Sequence, residues 1–111
     1  MSDFKMFVTL AHELGHIFCG HMGGCEAGSS KVESGWPSRK GLGNDEREVE
    51  GEAVAYLVSA RAGLKPASAE YLRAYALSAD LTRIDMNVVV RAAARIERLA
   101  GMSHGMVRFA D

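Results

Sequence analysis

Apolar residues Phe7, Leu10, Ala11, Leu14, Ile17 and Phe18 recur at three- and four-residue steps between positions 4 and 19. That is the period of an amphipathic helix, and Asp3 or Ser2 is available to cap its start. Gly20, Gly23, Gly24 and Gly28 then break the pattern, and the stretch to Gly43 is rich in Gly and Ser, with Trp36-Pro37 as its bulky anchor. A loop of this length inside a compact domain is usually functional, and beside a reactive helix it can form a rim or lid. A second helix is predicted from Asn44 or Asp45, either of which can cap it, through Glu46, Glu48 and Glu50 to Arg61, with Gly63 and Pro66 closing it. Acids first and arginine last suit the helix dipole. Ser68 opens a third helix bearing Tyr71, Leu72, Tyr75 and Ala76. A fourth spans about 85–100, with Val88, Val89, Ala92, Ile96 and Leu99 on its apolar face. The tail, residues 102–111, holds a short Met106-Val107-Arg108-Phe109 run that reads as a strand or as nothing. The pattern predicts a mainly α fold, with at most a short β element at a terminus.

Composition narrows this to one domain. At 111 residues, 48% of them hydrophobic, the chain is long enough for a single core and too short for two, so residues 1–111 read as one unit with a Gly-rich loop at about 20–43. A net charge of −1 leaves no basic surplus to hold a nucleic-acid backbone, so autonomous nucleic-acid binding is not expected. The apolar stretches are short and broken by charge, and no membrane span is predicted. Cys19 and Cys25 are too few for a disulfide framework, and no secretory leader pattern precedes them. A cytoplasmic, reducing setting is the expectation.

The chemistry concentrates in His12-Glu13-Leu14-Gly15-His16. On a helix the two histidines lie one turn apart on one face, off the main apolar side, and their imidazoles can share one ion. Zinc takes neutral imidazole nitrogens, and a catalytic site needs three protein ligands and an open position, with a carboxylate beside it to accept a proton from water. Glu13 has that place. Gly15 between the histidines leaves room for another helix or a substrate to approach, which offsets its poor helix propensity of about 1 kcal/mol relative to Ala. A third ligand is available in the second helix, where acids stand at Glu46, Glu48, Glu50 and Glu52. Glu46, Glu50 and Val54 share one face at four-residue steps, while Glu48 and Glu52 point away from it. This face predicts Glu46 or Glu50 as the ligand and the other as a partner for a histidine N–H.

His12-Glu13-Leu14-Gly15-His16 followed by Glu48-Val49-Glu50-Gly51-Glu52-Ala53-Val54-Ala55 resembles the ImmA/IrrE family of metallopeptidases and the peptidase half of ArdC-like antirestriction proteins. The resemblance covers about residues 7–100. It implies a minimal zincin-like, gluzincin-type helical core, a bound Zn2+ held by His12, His16 and Glu50, and Glu13 as general base. The implied activity is hydrolysis of a protein or peptide substrate. Two positions depart from the pattern: Gly51 stands where the family usually has Ala, and Val54 stands where thermolysin-like enzymes have an Asp that orients a histidine. Support for the histidines is therefore expected from elsewhere. Zincin peptidases also place a β-sheet ahead of the first zinc helix, whereas the motif here starts eleven residues from Met1. The expectation is a sheet supplied by a partner chain or a second copy, or else a minimal or partial version of the fold.

The remaining candidates rank lower. His21 is out of register for a third histidine of the metzincin kind and reads as a residue around the site rather than in it. Cys19 reads as a small apolar helix-end residue, Tyr56, Tyr71 and Tyr75 as core residues, and Arg39 and Lys40 as solvated loop cations. The alternatives to a peptidase are a non-catalytic, zinc-stabilised interaction module and a half-domain of an antirestriction or phage-defence regulator that acts only with a partner.

Overall fold

The computed structural model of the chain describes residues 3–26, 35–64 and 68–101. Among them four α-helices follow in order, α1 (Asp3–Phe18), α2 (Asn44–Arg61), α3 (Ser68–Ala76) and α4 (Met86–Leu99), with a 3-10 turn at Leu81–Arg83 ahead of α4. The mainly α reading holds. The β structure among the described residues is one antiparallel bridge between Cys25 and Trp36, inside the loop rather than at a terminus. The Met106–Phe109 run and His104 lie outside the described residues.

Helix α2 is the centre of the fold, packed against α1, α3 and α4, while α1 also meets α4. Its sequence explains why: Ala53, Val54, Ala55 and Val58 are small or β-branched and all are buried, so neighbouring backbones come close on several sides. Full burial of Val54, Val58 and Val89 contributes ~1.5–3 kcal/mol each. The tightest approach is at Gly15 of α1, where a methyl group would stand 3.0 Å from Val54 Cβ. The room expected at Gly15 is thus taken up by α2, at the level of the two histidines.

Some faces turn differently from the apolar pattern. Leu10 and Ile17 of α1 and Leu99 of α4 are exposed, as are Tyr56 and Tyr71, whereas the core takes Ala11 from α1, Cys19 just past its end, and Val88, Val89, Ala92, Ala93 and Ile96 from α4. Phe7, Val8, Leu14 and Phe18 of α1 pack partly buried against this core, while Leu10 and Ile17 stay outside. Capping also differs at α2, whose N-cap is Gly43 with no side-chain bond, whereas α4 is capped by Asp85 accepting from the Val88 amide at 3.2 Å.

The loop is pinned at both described ends. Gly20 ends α1 with φ +79°, and a Cβ there would fall 2.0 Å from the Pro37 carbonyl oxygen. Trp36 donates from Nε1 to the Gly23 carbonyl at 3.1 Å and meets Phe18 edge-on, with Arg95 of α4 over both rings. The bulky anchor read from Trp36-Pro37 is therefore an anchor in fact. It holds residues 35–43 against the end of α1 and brings Arg39 inward.

Candidate metal centre

Helix α1 presents His12 and His16 to α2 with their Nε2 atoms 2.9 Å apart. Glu48 completes a triangle: one carboxylate oxygen lies 3.3 Å from His12 Nε2 and the other 3.3 Å from His16 Nε2. Three metal-ligating side chains thus converge, all partly or nearly wholly buried. Four ligands arranged tetrahedrally around zinc at about 2.0–2.1 Å would be spaced about 3.3 Å apart. The observed separations of 2.9, 3.3 and 3.3 Å are near that spacing, the two to Glu48 running to its two different oxygens.

Gly51 shapes the cradle. A Cβ at this position would stand 2.9 Å from both Cε1 and Nε2 of His16 and 3.3 Å from His12 Nε2. The imidazoles rest on the bare helix backbone, at a point where the methyl of an alanine would press on them. Glu52, one turn beyond Glu48, accepts a hydrogen bond from His12 Nδ1 at 2.9 Å. That bond, followed by burial acting the other way and by the charges of Glu52, Glu48 and Glu13, leaves the His12 pKa raised. His16 is shifted down, first by burial and then by the charge of His12, against the pull of Glu48 and Glu13. Two ring nitrogens at this distance either share a proton in an N–H···N hydrogen bond or sit beside a cation.

Glu50 is elsewhere. Its carboxylate is fully buried and takes both guanidinium N–H groups of Arg39 at 2.5 Å, the Asp85 amide at 2.9 Å, and Nε2 of His21 at 2.7 Å. Burial pushes its carboxyl up, but the bonds from His21, Arg39 and the Asp85 amide outweigh burial and hold it below the ordinary value. The structure therefore brings His12 and His16 together with Glu48 and not with Glu50, the residue implied by the resemblance. Glu46, the other acid of the face selected from the sequence, is buried too and accepts the Asp80 amide at 2.9 Å. Glu46 and Glu50 tie α2 to the segment before α4, whereas Glu48 and Glu52 meet the histidines. With Glu48 as the starting point, the orienting carboxylate four residues on is Glu52, and Val54 no longer marks a missing partner.

Sequence reasoning missed two things here. The first is the Glu48/Glu52 face, for which Gly51 was a signal: three residues after Glu48 and one before Glu52, it marks a place where something presses on the backbone. The second is Arg39, which is not a solvated loop cation but also donates to the Cys19 carbonyl at 3.2 Å; nothing local in its sequence shows this. His21, read from the sequence as a residue around the site, is buried and contacts His16. Cys19, His21 and Glu50 also lie within metal-ligating distance of one another. With Glu50 filled by Arg39 and the Cys19 thiol pushed up to about 12 by burial and by Glu50, this second group behaves as packed interior.

Glu13 is exposed, on the side of α1 that carries a shallow, mostly apolar groove of about 510 Å³ lined by Met6, Phe7 and Leu10 among others. Among the described residues no helix is long and apolar enough to cross a membrane. No protein-family model, curated protein or solved structure matches this chain.

Proposed function

We propose that the chain is a zinc-dependent peptide-bond hydrolase with a zincin-like helical core, in which His12, His16 and Glu48 hold the ion and Glu13 is the general base. The observation that carries this reading is the triangle of two imidazole nitrogens and a carboxylate, with edges of 2.9, 3.3 and 3.3 Å, over a glycine backbone that leaves room for them. Zinc bound there supplies a Lewis acid that acidifies water and polarises a peptide carbonyl. Glu52 holds His12 by its Nδ1–H and so turns the His12 Nε2 lone pair toward the site. Glu13, next in sequence to His12 and acting electrostatically on both histidines, accepts the proton of the attacking water at its carboxylate and returns it to the leaving amine. The apolar groove beside Glu13 suits a peptide side chain.

The test is Glu13→Gln, nearly the same size but unable to take a proton. It retains one equivalent of zinc by elemental analysis and the parent fold by circular dichroism. Its kcat falls by about 10²–10⁴-fold on a peptide-library substrate that the parent cleaves. His12→Ala loses metal and activity together. If the parent binds zinc and neither protein cleaves any peptide, the non-catalytic zinc module is the better reading.

A second reading, that the chain works docked to a partner chain or a second copy, draws on α1, where Met6 is 55% and Leu10 57% exposed along the same side as Glu13. Light scattering of the isolated chain decides it. A monomer with a sharp cooperative melt removes the need for a partner.

A further inference from the structure

His21 lies five residues beyond the proposed ligand His16, where no ligand spacing places it, yet it is buried and hydrogen-bonded through both ring nitrogens. His21 Nδ1 stands 2.8 Å from His16 Nδ1, and His21 Nε2 stands 2.7 Å from Glu50 Oε1. Glu50 in turn is met by the Arg39 guanidinium and the Asp85 amide.

Counting protons along this line assigns every ring. Arg39 and the Asp85 amide can only donate, so Glu50 is a carboxylate that only accepts. His21 must then carry its proton on Nε2 to donate to Glu50, and in the neutral ring its Nδ1 is left with a lone pair. His16 must donate from Nδ1 to that lone pair, which leaves His16 Nε2 bare and facing His12 Nε2. Glu52 assigns His12 the same way from the other side, through Nδ1. Two separate lines of hydrogen bonds therefore make both Nδ1 atoms donors and turn the two Nε2 atoms toward each other beside Glu48.

We infer that His21 is a positioning residue for the metal site, directed by Glu50 and by Arg39 from the loop, and that it holds His16 in the one tautomer able to bind a cation through Nε2. The inference deepens the zinc-site reading and rests on it for the metal, though the tautomer itself is a property of the chain. It gives the buried Glu50–Arg39 pair a role, because Arg39 keeps Glu50 an acceptor and the direction of every bond from Glu50 to His16 follows from one permanent cation. It also joins the loop carrying Arg39 and the start of α4 at Asp85 to a ligand on α1.

The experiment compares the parent with His21→Leu and His21→Gln, each checked for fold by circular dichroism. Leucine fills the space without a hydrogen bond, whereas the glutamine amide keeps the polarity of His21, its oxygen accepting from His16 and its nitrogen donating to Glu50. Zinc affinity is read by competition with a chelator, and the His16 tautomer by the ring-nitrogen chemical shifts of histidine-labelled protein without added metal. His21→Leu should bind zinc about 10–100-fold more weakly, as expected for loss of an orienting partner, and His21→Gln should restore affinity to within a few-fold of the parent. The parent should show His16 protonated on Nδ1 and bare on Nε2, with His21→Leu a mixture of the two forms. Equal zinc affinity in His21→Leu and the parent, or a parent His16 with its proton on Nε2, overturns the inference. Should the parent take up no zinc, the zinc-site reading falls, and the ring shifts of the parent still decide whether His21 sets the tautomer of His16. They do so even if His21→Leu fails to fold.

Discussion

Two pairs of acids on α2 sit two residues out of step and do opposite things. Glu46 and Glu50 are buried, and each accepts a backbone amide from the segment leading to α4, Glu50 with a guanidinium besides. Glu48 and Glu52 keep some exposure, 25% and 12% for their side chains, and their ion pairs among the described residues are with imidazoles. A carboxylate saturated by a bidentate arginine, an amide and a histidine has no lone pair left for an ion, and its value is structural. A carboxylate facing two ring nitrogens, with part of its surface open to solvent, is available to bind a cation with them. Charge alone does not distinguish a ligand from a brace. The partners do.

The largest expected effect is on the braced side. Glu50→Ala leaves the partly buried Arg39 guanidinium and the buried His21 without their carboxylate, and breaking a pair of this kind costs up to about 3–5 kcal/mol. That is a large part of the ~5–15 kcal/mol that holds a domain of this kind together. The melt measured in chelator should therefore drop steeply or vanish, and an unchanged melt would remove the contrast between the two faces.

Glu48→Ala should do the reverse. Zinc affinity by chelator competition should fall by more than the ~10–100-fold that follows loss of an orienting partner, because a ligand is gone. The melt in chelator should stay within about 0.5 kcal/mol of the parent, as for other partly exposed substitutions. If Glu48→Ala binds zinc normally, the third ligand is not on this face.

Gly51→Ala sharpens the comparison by pressing on the histidines without touching a carboxylate. The added methyl would sit 2.9 Å from the His16 ring. Overpacking of this kind costs ~1–3 kcal/mol, against a helix-propensity gain of ~1 kcal/mol, so the melt in chelator should change modestly. Zinc affinity should fall, because His16 must shift, and a titration identical to the parent's would show that the cradle has slack.

Glu46→Ala is the smallest. It deprives the Asp80 amide of its acceptor, worth about 1 kcal/mol, and should leave zinc binding as it is. Weaker zinc binding here than in Glu48→Ala would restore the face chosen from the sequence.

The elements themselves were legible. Period, caps and glycines place α1, α2, α3 and α4 within a residue or two of where they stand, because each depends on neighbours three or four positions away. His12 and His16 share a face for the same reason, and so do the acids in their two pairs. Which pair meets the histidines was not legible. At about 100° per residue, Gly51 and Val54, the positions that meet α1, lie between the two pairs, so each pair occupies one flank of the contact. Val54 drew the sequence reading to its own flank, with Glu46 and Glu50.

What the sequence determined on its own was therefore local: the helices, the histidine pair with Glu13, and two alternative acid faces. Tertiary structure decided which face is the site, which glycine is its floor, and that Arg39 and His21, distant from Glu50 in the chain, meet at its carboxylate. The physical reason is that periodicity sets a helix's faces relative to one another and not its rotation against its neighbours. That rotation comes from the close crossing of Gly15 on Val54 and from where the loop delivers the Arg39 guanidinium to Glu50.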